Sequence, residues 1–304
     1  MILSVSRRTD VPNYFSEWFF QRLEEGFLYV RNPMNPKQIS RISITPDVVD
    51  CVVFWTKNPE PMLSQLNKLV NYNYYFQFTL TCYESDIERN VLEKKNMISI
   101  FRKLSDQIGA DRVIWRYDPI LFNDKYTQSY HLKTFQQIAD NLNGYTKKCV
   151  ISFIDEYAKN RSALSKLHMH QLEMDALKDF ASRLKEITEI NGMEIASCAE
   201  QIDLMDVGID HNACIDPHLI EQIVGYKIKA KKDKNQRPEC GCVESIDVGT
   251  YNTCRNGCIY CYANQSIKSA EENAKMYDMN SPLLCGHVRE GDKITERIVA
   301  LLRV

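Results

Sequence analysis

Six short apolar runs recur between residues 2 and 197, each leading into polar or charged residues and then into a helical pattern. They span Ile2 to Ser6, Val48 to Trp55, Tyr74 to Thr81, Arg112 to Pro119, Cys149 to Asp155 and Met193 to Ser197. Short runs rich in β-branched and aromatic residues, without strict alternation, suit strands buried on both faces. Helical crossovers between them predict a parallel sheet, because parallel neighbours cannot be joined by a tight hairpin. The expected fold class is α/β, a (β/α) TIM-type barrel, full or partial.

In such a fold the chemistry gathers beyond the carboxyl ends of the strands. Arg7 with Asp10, Lys57, Thr81, Arg116 with Asp118, Asp155, and Cys198 with Glu200 all fall where a strand should end. One strand-end charge is ordinarily a solvated charge, but this succession predicts a shared cavity. Arg7, Asp10 and Asp118 are its candidate catalytic residues. Between the strands, Phe15, Trp18, Phe19 and Leu23 form one face of a helix from about Asn13 to Glu25, stopped by Gly26. Further helical patterns run through Leu63, Leu66 and Leu69, up to Ile108, and from about Met169 to Glu189. Arg31 to Pro36 reads as loop, because prolines punctuate it.

The chain has 304 residues, 44% of them hydrophobic, with a formal net charge of −2. That balance gives no support to a nucleic-acid partner, and no apolar run is long enough for a membrane span. No signal peptide opens the chain, so a soluble, cytoplasmic protein is expected. Eleven cysteines are many for such a protein, and they are uneven: three in the first 190 residues, eight from 198 to 285. In an enzyme-sized chain this points to metal or redox work rather than a disulfide framework.

Cys254, Cys258 and Cys261 lie at i, i+4 and i+7, with Gly257 among them, so one loop can wrap a metal centre from one side. Three thiolates suit a cubane [4Fe-4S] cluster with one iron open. The other reading is zinc completed by a distant fourth ligand. Cys198, Cys214, Cys240 and Cys242 make a second set of four, enough for a closed tetrathiolate site. An auxiliary iron–sulfur cluster is expected there, with zinc as runner-up and simple buried thiols as the third reading for Cys198 and Cys214. Cys285 is a candidate late ligand or lid residue, and Cys51, Cys82 and Cys149 are expected in core strands. The histidines show no metal-site spacing and read mostly as surface residues. The basic stretch from Lys227 to Arg237 reads as a solvated loop, with a grip on an acidic partner as the alternative. The expected organisation is barrel strands and helices over 1–200, a cysteine-containing basic insertion over 201–243, and a cluster-binding strand, loop and helix over 244–304.

The C-x3-C-x2-C spacing, the aromatic Tyr260 before the last cysteine and the continuation into Tyr262 and Ala263 resemble the radical S-adenosylmethionine enzymes, most nearly the spore-photoproduct-lyase branch. The resemblance implies a cluster held by Cys254, Cys258 and Cys261. S-adenosylmethionine would be bound near Thr56, Lys57, Arg116 and the backbone of Tyr260, and an electron donor such as a flavodoxin or ferredoxin would serve the cluster. The implied reaction is reductive cleavage of S-adenosylmethionine to a 5′-deoxyadenosyl radical that abstracts hydrogen from a substrate. The usual Gly-Gly-Glu segment is absent, and Asn58 to Pro61 stands in its place. The cluster loop lies near the chain's end rather than its start, which implies a circularly permuted barrel with residues 244–264 beside the N-terminal strand. The whole chain also resembles an uncharacterised bacterial family with Ser-Arg-Arg-Thr-Asp, Phe-Trp-Thr-Lys-Asn-Pro and Cys-Gly-Cys motifs. The competing expectation, from another class, is a non-catalytic zinc or iron–sulfur protein that binds nucleic acid.

Overall fold

The computed structural model describes residues 1–155, 160–299 and 302–304. Eleven strands are found among them: β1 (Ile2–Val5), β2 (Phe27–Arg31), β3 (Gln38–Ser43), β4 (Cys51–Thr56), β5 (Tyr74–Thr79), β6 (Val113–Ile120), β7 (Lys148–Phe153), β8 (Glu194–Ser197), β9 (Asp210–His211), β10 (Ile246–Asp247) and β11 (Lys293–Glu296). Eight form one sheet in the order β10-β1-β4-β5-β6-β7-β8-β9, with every pairing parallel. The expected parallel α/β sheet is present, but a closed barrel is not. β10 and β9 end the order, so among the described residues the sheet stays open. These edge strands are two residues each, too short to carry a ladder around to the other edge.

The sheet gains its eighth strand from the far end of the chain. Leu3 pairs with Ile246 and Ser4 with Asp247, so residues 246–247 lie beside the N-terminal strand, as the permuted order expected. Asp247 fixes this junction. Its carboxylate accepts from Ser4 Oγ at 3.0 Å, Ser6 Oγ at 2.6 Å and the Arg7 amide at 2.8 Å. Gly249 is required here, since a Cβ at that position would stand 2.0 Å from Ser6 Oγ.

Strand alternation divides the interior into two layers. Val52 and Phe54, Phe76 and Phe78, Trp115 and Tyr117, and Cys149 and Ile151 face one core, against helices Ser16–Glu25, Lys94–Ile108, Gln128–Leu142 and Met174–Ile190. Cys51 and Val53, Tyr75, Ile114 and Val150 face the other, against helix Pro217–Val224 and the cysteine-bearing segment that surrounds it. The mean cost of leaving either layer wet is set by about 25 cal/mol per Å² of apolar surface, so both faces need their covers.

Several local expectations need correction. The helix over Asn13 to Glu25 is two helices, Val11–Tyr14 and Ser16–Glu25, because Phe15 leaves helical geometry at φ −140° and Asp10 caps the first piece separately. Of the expected loop, Arg31 ends β2 and residues 32–36 do form a loop, but it joins β2 and β3 in an antiparallel hairpin, to which β11 adds a third strand. Cys82 is buried just past β5 rather than within it. His131 is fully buried, with Nε2 on the Leu121 carbonyl at 2.8 Å and Nδ1 on the Tyr117 hydroxyl at 2.9 Å. Cys285 joins the helix-side core, where burial pushes its thiol up to about 12. Among the described residues no helix is long and apolar enough to cross a membrane.

Candidate functional site

The polar residues expected at strand ends do collect beyond the carboxyl edge of the sheet. Arg7 and Asp10 follow β1, Lys57 follows β4, Thr81 follows β5, Asp155 follows β7, and Cys198 and Glu200 follow β8. Arg116 and Asp118 differ, lying within β6 because that strand continues to Ile120 past a register irregularity. Two residues apart, they share the face that carries Ile114 lower down.

Asp10 organises the first thiol loop. Its carboxylate accepts from Thr56 Oγ1 at 2.7 Å, the Lys57 amide at 2.9 Å, Asn256 Nδ2 at 2.9 Å and the Asn13 amide at 3.2 Å. One buried side chain thus ties the ends of β1 and β4 to the middle of the Cys254–Cys261 loop. Burial alone holds this carboxyl above its usual range, although each of those donors pulls it down. Asn256 also accepts from Tyr14 OH at 2.8 Å, and its own carbonyl accepts from the Asn90 amide at 3.0 Å. Gly257, next to it, takes φ +68°, which favours glycine.

The three thiols share one site. Each of Cys254 and Cys258 feels the charge of the other cysteines in the loop, and desolvation is the largest influence on both. Burial pushes Cys258 up to about 12, while the Lys57 ammonium pulls the other way. All three residues still keep part of their surface open. Thiolates confined like this need a nearby positive centre, which a metal supplies as it displaces the thiol protons.

Glu88 backs this loop, and nothing in the sequence singles it out. It is fully buried and takes Lys57 Nζ at 2.7 Å, Thr81 Oγ1 at 2.7 Å and Tyr260 OH at 2.5 Å on Oε1, with Lys94 Nζ at 3.0 Å on Oε2. Despite the opposing effect of burial, the two ammonium groups hold its carboxyl down at about 2. In sequence it sits with Glu84 and Asp86, and such a run reads as a solvated loop. Lys57 Nζ also stands 5.7 Å from the centre of the Tyr260 ring, and the Tyr260 carbonyl accepts from Asn160 Nδ2 at 3.0 Å.

The second set of cysteines, dispersed in sequence, is brought together on the opposite face. Cys198 Sγ and Cys214 Sγ are 3.2 Å apart. Cys242 acts on Cys214, and Cys240 acts on Cys242. Arg116 reaches this group rather than the first loop: Nη1 lies 2.7 Å from Cys214 Sγ, and Nη2 pairs with Asp118. Arg116 and Asp118 therefore form an ion pair, and Ser152 holds the other Asp118 oxygen. Among the described residues, no three His, Cys, Asp or Glu side chains are arranged to hold a metal ion as they stand.

Arg7 and Asp118 are within electrostatic reach of groups at both thiol sets. Arg7 feels Cys242 on one side and Tyr262 on the other, and bonds Ser245 Oγ at 3.2 Å. Asp118 acts on both Lys57 and Cys198. Beyond them Glu200 accepts from the Phe153 amide at 2.7 Å, and burial lifts its carboxyl to about 7. The basic stretch keeps Lys227, Lys229, Lys231, Lys232 and Lys234 exposed, whereas Asp233 within it is buried and faces Arg7 at 3.5 Å.

The family model described as Domain of unknown function (DUF1848) matches residues 2–263, a span that includes both thiol sets. No curated protein matches the chain. A crystal structure from Bacteroides thetaiotaomicron VPI-5482, described as that of a candidate alpha-L-fucosidase, is 14% identical over 58% of this chain and 84% of that one, with a TM-score of 0.28. At that score the likeness carries no weight for fold or activity.

Proposed function

The chain belongs to the family described as Domain of unknown function (DUF1848), so its chemistry has to be read from the site, and we propose that it is a radical S-adenosylmethionine enzyme. The observation that carries this reading is the loop of Cys254, Cys258 and Cys261: three thiols in mutual electrostatic contact, half-open, at the carboxyl edge of a parallel sheet. Three thiolates and no fourth ligand in the same loop fit a [4Fe-4S] cluster with one iron left for an external ligand. Bound there, such a cluster supplies the electron that splits S-adenosylmethionine into methionine and a 5′-deoxyadenosyl radical, which takes hydrogen from the substrate.

The chain's own residues supply position and charge. Asp10 and Asn256 fix the loop against β1 and β4, so the three sulfurs keep their mutual geometry. Lys57 spends one of its three ammonium donors on Glu88, leaving donors for the carboxylate of S-adenosylmethionine. Arg116, held by Asp118 and Cys214, stands farther round and serves the second thiol set. A substrate would meet the radical at this carboxyl edge, where Arg7, Asp118 and Glu200 offer charge and the surrounding side chains would exclude water.

The test is anaerobic reconstitution followed by incubation with S-adenosylmethionine and a strong one-electron reductant. The reading expects 5′-deoxyadenosine and methionine in equal amounts. A protein that holds a four-iron cluster on these cysteines yet leaves S-adenosylmethionine intact under reduction overturns it.

A further inference from the structure

We propose that Cys198, Cys214, Cys240 and Cys242 bind a single tetrahedral metal ion, zinc in class, that pins residues 198–243 onto the second face of the sheet. Cys198 Sγ and Cys214 Sγ stand 3.2 Å apart, and Cys242 and Cys240 lie near enough to act on Cys214 and on each other. Four ligands at a zinc–sulfur distance of about 2.3 Å around one ion stand about 3.8 Å from each other, close to contact. In a cubane each thiolate sits on a different iron corner, and the four are spread well beyond contact. The 3.2 Å between Cys198 and Cys214 therefore favours one ion over a cluster, and zinc over the iron–sulfur centre favoured by composition.

The surroundings are built for charged sulfur. A neutral thiol is a weak acceptor, yet three N–H groups aim at two of these sulfurs. Arg116 Nη1 lies 2.7 Å and Asn212 Nδ2 3.2 Å from Cys214 Sγ, and the Ile215 amide lies 3.3 Å from Cys242 Sγ. Asn212 is itself 3% exposed, and its Oδ1 has no partner. Trp55 Nε1, under the Arg116 guanidinium on the same face, is likewise buried and unpartnered. The ligand backbones are already fixed. Cys214 O accepts from Tyr75 OH at 2.6 Å and Gln77 Nε2 at 2.9 Å, and Cys242 O accepts from the Asp233 amide at 2.9 Å. Binding replaces four S–H protons, released to solvent, with four metal–sulfur bonds, and Arg116 offsets part of the resulting negative charge.

The segment these ligands tie down also carries Ile215, Ile220 and Val243 into the second core layer. Its stretch from 227 to 234 carries exposed lysines, so without the ion it should open to protease. None of the ligands belongs to the Cys254–Cys261 loop, so this site stands or falls apart from the radical chemistry.

The experiment uses the full chain and its C254S/C258S/C261S variant, which lacks the first thiol set. The variant should purify with about one equivalent of metal whose X-ray absorption reports four sulfur neighbours near 2.3 Å. Adding C240S and C242S should remove that metal. In the unaltered chain, a zinc chelator should speed tryptic cleavage within residues 229–234 at least about tenfold, which reports on the site even if the cysteine variants fold poorly. A metal-free C254S/C258S/C261S protein that is folded, a four-iron cluster with sulfide in that variant, or cleavage indifferent to chelation would each overturn the proposal.

Discussion

The two thiol sets occupy one edge of one sheet and are made in opposite ways. Cys254, Cys258 and Cys261 come from a single loop whose own spacing gathers them, and the fold only has to hold that loop through Asp10 and Asn256. Cys198, Cys214, Cys240 and Cys242 come from three separated places, and nothing but the packing of 198–243 against Tyr75, Gln77 and Arg116 brings them into contact. The first set rests on charged neighbours, the Lys57–Glu88–Lys94 group, and opens outward. The second is embedded in an apolar layer, with Arg116, Asn212 and the Ile215 amide as donors to its sulfurs. A half-open set suits chemistry at an exchangeable ligand, and a closed, embedded one suits a fixed ion.

The largest effect should come from breaking the first set alone. Cys254→Ala is expected to reduce 5′-deoxyadenosine to background and remove the iron of the first centre, while the metal of the second set stays, as separate metal analyses would read. Loss of both together would mean that the sets are one centre. Glu88→Ala comes next, because it strands the buried Lys57 ammonium and removes the partner of the half-buried Lys94. A stability loss of about 3–5 kcal/mol in urea is expected, and a loss under about 1 kcal/mol would show that this network does not support the loop.

A pH experiment separates the two layers of the core. Burial holds His131 down at about 4, against an ordinary value near 6.5. The unfolded chain therefore binds a proton that the native state refuses, and stability should fall as pH drops from about 6.5 to about 4, by on the order of 3 kcal/mol. Below that range this contribution is flat. His131→Gln should remove this slope without changing metal content at either set, and a slope that persists would place its origin elsewhere. The smallest effect is assigned to Asp10→Asn. It turns an acceptor facing the Lys57 amide and Asn256 Nδ2 into a donor, and iron retention by the first set should weaken about 10- to 100-fold in a chelator competition, with the second set unchanged.

Much of this was legible in the order of residues. The strand runs, the polar strand ends and the 254–261 loop are local patterns, and burial of their apolar neighbours puts them where periodicity says. The pairing of residues 246–247 with β1 was also expected, from the family resemblance together with the late position of the loop. Other features were not. The β2–β3 hairpin was hidden behind prolines, and Glu88 looks like a solvated acid until Lys57, Lys94 and Tyr260 close on it. Arg116 could be placed at a strand end, but not assigned to one thiol set or the other.

By itself the sequence determined what is encoded within a few turns of chain: strands and helices from their periods, and a three-thiol loop from its spacing. Tertiary structure alone decided which distant groups meet. Among the described residues it left the sheet open, aimed Arg116 at Cys214, buried Glu88 between two ammonium groups and drew Cys198 Sγ to 3.2 Å from Cys214 Sγ. The reason is physical: local propensity acts over neighbouring residues, whereas desolvation and charge pairing depend on which surfaces the whole chain removes from water.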